Sequence, residues 1–140
     1  MKMLLPSLSV FGACFLALNL HAADAPKVDL SKLPPPAAKK DVTFAKDIKP
    51  ILEKSCTRCH GADKPKGDLR LDSLETAIKG SEHGKVIQPG KSAESKLVIA
   101  VAQVGDPDDH MPPPNNRANI PPLTKDQVAL IRAWIDQGAK

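Results

Sequence analysis

The sequence predicts a small all-α domain folded around a large apolar body that its own side chains do not supply. Three observations carry that expectation. Apolar residues recur at helical spacing, as in Phe44, Ile48, Ile51 and Leu52 and again in Val128, Ile131, Trp134 and Ile135, and the signals for strands are poor. Glycine and proline punctuate the stretches between as loops rather than hairpins, and there is no internal repeat. The 140-residue chain has no tyrosine, one tryptophan and three phenylalanines, and two of those, Phe11 and Phe15, fall in an apolar N-terminal run. A domain of about a hundred residues with Phe44 and Trp134 as its only aromatics needs another large apolar group in its centre.

In chain order, residues 1–22 read as a secretory signal: Lys2, an apolar stretch from Leu4 to Leu20, then small residues. The run is too short and too weakly flanked for a membrane span, so no stable span is expected after cleavage. Cleavage after Ala22 is expected, with Ala25 as the alternative. A lipoprotein reading of Gly12-Ala13-Cys14 competes; it is weakened by the apolar Phe15–Leu20 run, where a lipidated mature start turns polar. Export places the protein in the periplasm or another extracytoplasmic space. Residues 23–41 hold Pro26, Pro34-Pro35-Pro36 and Lys39-Lys40 with little to bury, which predicts an extended, flexible leader. Residues 42–140 form one small domain by size.

Inside that domain the first helix runs through Phe44 to Leu52 and delivers Cys56, with Pro50 tolerable in a first turn or at a kink. Asp72 with Glu75 reads as a capping box opening a short helix (Leu74, Ala77, Ile78) that Gly80 closes. Ser92, after Pro89-Gly90, caps the next, with Leu97, Val98, Val101 and Val104 on one face. Thr124 and Gln127 form another capping box and open the clearest helix, which Gly138 ends; this last helix packs across the first.

The chemistry centres on Cys56-Thr57-Arg58-Cys59-His60. Two cysteines three apart at a helix start put both sulfurs on one side of a turn, at roughly the spacing of the two vinyl groups of a haem. The thiols can add across those vinyls as thioethers, and the next residue brings an imidazole to the iron. The motif therefore predicts one covalent haem c, held by Cys56 and Cys59, with His60 as an axial ligand. Zinc would need four ligands, and Cys14, the only other cysteine, lies in the signal. A thioredoxin-like dithiol would follow a strand, and no β-rich run precedes the pair. A plain disulfide leaves His60 unexplained.

The second signal is Asp109-His110-Met111-Pro112-Pro113-Pro114. With the signal removed, Met111 is the last methionine in the chain. Pro112 biases it toward an extended backbone, and the prolines that follow stiffen the loop. A stiff extended loop can hold a thioether sulfur at the second axial position of the iron. The competing readings are a gap-filling core methionine and ligation by the adjacent His110.

Several stretches together resemble the planctomycete-type cytochrome c domain, a relative of class I c-type cytochromes. They are Phe44 to Leu52, Cys56 to Gly61, Leu69-Arg70-Leu71-Asp72, Pro89-Gly90-Lys91-Ser92 with Ser95, Met111-Pro112-Pro113, and Trp134-Ile135 with Gly138-Ala139. The resemblance spans nearly all of residues 42–139. It implies a small cytochrome c-like helical bundle around one haem, with His60 proximal and Met111 distal. Such domains often stand at the front of larger proteins, and nothing carried by other domains is implied here.

His21 belongs to the signal region, and His83 reads as a solvated loop residue. Lys39-Lys40, Lys64 and Lys66 read as solvated charge, or as groups that steer an acidic redox partner. Removing Lys2 with the signal leaves 19 of the 20 Lys and Arg against 16 Asp and Glu, too slight a balance to imply nucleic-acid binding. The function expected is that of a monomeric one-electron carrier serving redox partner proteins, not an enzyme. The rivals are a haem enzyme or gas or peroxide binder with an open distal position, and a haem module that mainly docks a partner.

Overall fold

The computed structural model describes residues 28–63 and 65–140. The predicted signal, both cleavage sites, Cys14, His21 and Lys64 lie outside the described residues. Among those described the chain is helical, with no strand and one isolated antiparallel bridge between Ser81 and Gly84. Five α-helices follow in order: α1 (Lys49–Ser55), α2 (Thr57–His60), α3 (Leu74–Lys79), α4 (Lys96–Val101) and α5 (Lys125–Asp136). None of them is long and apolar enough to cross a membrane.

The first predicted helix forms in two parts. Thr43 caps a π-helical turn over Phe44–Ile48, and α1 continues from Lys49. Pro50 lies in the first turn of α1, where its missing N–H needs no intrahelical acceptor. The opening turn carries Phe44 and Ile48 into the core, and Trp134 of α5 packs on Phe44 with ring centroids 5.8 Å apart. The Trp134 indole N–H and the Phe44 backbone N–H both donate to the Lys140 carbonyl, each at 2.9 Å. The last helix thus crosses the start of the first, as the two apolar stripes predict. Its own start is the predicted capping box: Thr124 N–H donates to Gln127 Oε1 at 2.9 Å, and Gln127 N–H to Thr124 Oγ1 at 3.2 Å.

Two predicted caps are corrected. The N-cap of α3 is Ser73, whose hydroxyl accepts from Thr76 N–H; Asp72 is held instead by the Arg70 guanidinium at 3.0 and 2.6 Å. A two-pronged charged bond outcompetes a neutral cap for that carboxylate. Ser92 does not cap α4, which begins after Ser95. Its N–H and hydroxyl bind the two Asp136 carboxylate oxygens at 2.8 and 2.9 Å, fastening the Pro89–Ser92 turn to the end of α5.

Residues 28–41, the described part of the expected flexible leader, lie along α5. Leu33 is buried, Ala37 N–H donates to Ala129 O at 2.9 Å, and Gln137 donates to Lys39 O at 2.8 Å while accepting from Val42 N–H at 3.2 Å. Arg132 donates to Pro34 O. A proline run offers carbonyls without competing N–H groups, and Arg132 of α5 supplies a donor for the first of them.

Candidate haem site

Cys56 stands between α1 and α2 with φ −127° and ψ −41°. Its carbonyl accepts from both Cys59 N–H (3.0 Å) and His60 N–H (2.9 Å), which winds the four residues after it into one tight turn. The chain leaves that turn so close to its own backbone that a Cβ on Gly61 would lie 2.4 Å from the Thr57 carbonyl oxygen. Only glycine fits there.

The His60 ring is oriented from outside the motif. Its Nδ1 lies 3.2 Å from the Leu69 carbonyl, and since a carbonyl only accepts, Nδ1 carries the hydrogen. The lone pair is therefore on Nε2, the tautomer that metal-ligating histidines are given by such outer partners. Leu71 N–H donates to the His60 carbonyl at 2.8 Å, so the Leu69–Leu71 stretch grips both ring and backbone. Burial holds the His60 imidazole below its ordinary pKa, against the opposing pull of the Leu69 and Lys66 backbone bonds, which favours the neutral, ligating form. Cys56 and Cys59 are both free thiols. Burial, with Cys59 beside it, pushes the Cys56 thiol up to about 12, whereas Cys59 is exposed.

The elements surround an open cavity of about 1080 Å³, slightly larger than the roughly 300–1,000 Å³ usual for cofactor pockets. Cys56 lines it from the junction of α1 and α2, Cys59 and His60 from α2, Met111 and Pro112 from the loop before α5, and Leu97, Ile99 and Ala100 from α4. Met111 N–H donates to Ala100 O at 3.0 Å, and the Met111–Pro112 peptide is cis. All four residues predicted for the site therefore meet at one cavity. His110 is not among the described lining residues; its Nε2 is buried without a hydrogen-bond partner among the described residues.

Several lining residues carried no clear signal in the sequence. His83 and Lys66, read there as solvated, are exposed but stand at the cavity, as do Arg58, Lys96 and Arg117. Asp109 is the one carboxylate among the described lining residues. Val28, from the leader, also reaches the wall. The donor set fits haem c: a pair of free thiols, an imidazole with Nε2 unspent, a thioether, largely apolar walls for a porphyrin and cations for its two carboxylates.

An all-helical domain with these groups around one cavity is consistent with a small all-α, cytochrome-like fold. Residues 56–115 match the family model for Planctomycete cytochrome C, which supports a planctomycete-type cytochrome c domain over that stretch. A cytochrome c domain implies covalently bound haem c and electron transfer. No curated protein and no solved structure matches the chain.

Proposed function

We propose that the protein is an exported, single-haem c-type cytochrome that carries one electron at a time between partner proteins, with His60 and Met111 as the axial ligands. The observation that carries this reading is the meeting of Met111 with Cys56, Cys59 and His60 at one cavity, from two distant stretches of chain. Haem c, when bound, supplies an iron that alternates between the ferrous and ferric states. Cys56 and Cys59 would hold it through thioethers. His60 offers Nε2 because its other nitrogen is spent on Leu69. Met111 offers a neutral, soft sulfur, and a His/Met pair sets a higher potential than two histidines. The largely apolar lining suits a porphyrin held for electron transfer. The N-terminal export signal read from the sequence supports a periplasmic or other extracytoplasmic location.

The optical spectrum of the purified ferric holoprotein tests the proposal. A weak near-infrared sulfur-to-iron charge-transfer band with a low-spin spectrum is expected. A high-spin spectrum would favour the rival reading, an enzyme or a gas or peroxide binder with an open distal position.

A further inference from the structure

We propose that Asn116 is a positioning residue that keeps the Met111 thioether in place, an inference that rests on the His60/Met111 reading above. No helix spans the stretch between Asp109 and Lys125, so the Met111 loop is not held by a helical ladder. At its start the backbone is fastened once, by Met111 N–H to Ala100 O at 3.0 Å. Pro112, Pro113 and Pro114 then follow, none with an N–H to donate. The far side of the loop must be held through its carbonyls, by donors from elsewhere.

Asn116 provides them. Its Nδ2 donates to Pro113 O and to Ile120 O, each at 2.9 Å, and its Oδ1 accepts from Ile120 N–H at 2.8 Å. Both amide hydrogens are spent on carbonyls, and the backbone adds Asn116 N–H to Pro113 O at 3.2 Å. One partly buried side chain thus closes residues 113–120 into a ring, and Asn116 and Ile120 line the same cavity as Met111. Gln103 Nε2 reaches Pro112 O only at 3.4 Å, a weaker tie. With 113–120 closed, the two ends of the methionine stretch are fixed and the sulfur has few other places to go. With it open, the loop gains conformers and an outside ligand displaces the sulfur more easily.

The test uses the ferric holoprotein and cyanide as the competing ligand. Asn116→Asp keeps the bond from Ile120 N–H but turns two donors into lone pairs facing carbonyls; Asn116→Ala removes all three bonds. Both are expected to let cyanide displace the sulfur about tenfold faster and to bleach the sulfur–iron band at a lower temperature. Ser92→Ala, which loosens the α5 junction away from the cavity, lowers overall stability without that acceleration. Cyanide rates within about twofold of the parent in both Asn116 variants overturn the proposal. Should neither variant fold, hydrogen exchange in the parent decides: a protected Ile120 amide is required, and one that exchanges as a free amide overturns it. A parent with no sulfur–iron band removes the His60/Met111 reading as well; a band present in the parent and unaltered in the variants removes Asn116 alone.

Discussion

Met111 hangs from Ala100, its N–H donating to that carbonyl at 3.0 Å, so the last turn of α4 carries the loop that presents the thioether. The preceding residue, His110, has an extended backbone (φ −64°, ψ 131°), and successive side chains on extended chain point to opposite sides. That accounts for Met111 lining the cavity while His110 does not. Met111→Ala in the holoprotein should lose the sulfur–iron band, bind carbon monoxide and fall in midpoint potential by more than about 59 mV, a tenfold change for one electron. His110→Ala should leave all three nearly unchanged. The double variant guards against His110 swinging into the place of the missing sulfur. If His110→Ala loses the spectrum and Met111→Ala keeps it, the distal ligand is the histidine.

A second prediction concerns attachment. Two free thiols at a large apolar cavity call for thioethers, so acid-acetone should leave the colour with the polypeptide. The mass should exceed that of the bare mature chain by one haem; extractable colour would refute covalent attachment. Cys56→Ser or Cys59→Ser should also lower the yield of folded protein, read by far-UV circular dichroism. A domain whose only aromatic pair, Phe44 and Trp134, is already packed together has little else with which to fill the centre.

What was legible in the sequence was what is local in the chain. The Thr124–Gln127 box and the Cys56–His60 turn close over three or four residues, so spacing alone reveals them. Asp72 misled because Arg70, two residues away, binds it more strongly than a helix start does. Ser92 misled because its partner, Asp136, is 44 residues on. The leader's contacts with α5 span more than ninety residues, and no periodicity encodes them. The same holds for the cavity: Lys96 and Arg117 reach it only through the fold, whereas Cys56, Cys59, His60 and Met111 declared themselves by chemistry.

A third prediction follows from the buried junction of Ser92. Its hydroxyl donates to Asp136 and accepts from Arg132 Nε at 3.0 Å, and the residue is 1% exposed. Ser92→Ala strips one partner from each of two charged groups, which should cost about 1–3 kcal/mol in urea unfolding. An unmoved midpoint would mean that water replaces the hydroxyl there at no cost.

The last prediction is a pH dependence at the point where the leader meets the first helical turn. Asp47 accepts from the Lys39 ammonium and from Thr43 N–H at 2.9 Å. The Lys39 bond first, then the Thr43 bond, hold its carboxyl below the ordinary 3.8; burial opposes them, and the charges of Lys39 and Lys46 add a smaller downward pull. A carboxylate with a depressed folded-state pKa stabilises the fold fully above the unfolded value and loses that contribution as pH falls through the folded one. The urea midpoint of the parent should therefore carry the Asp47 contribution unchanged from neutrality down to about pH 5 and lose it below about pH 4. Asp47→Asn cannot be charged, so its midpoint should lie below the parent's at neutral pH and converge on it in acid. Two midpoint curves that stay parallel down through pH 3 would show that the Lys39–Asp47 contact adds nothing to folding.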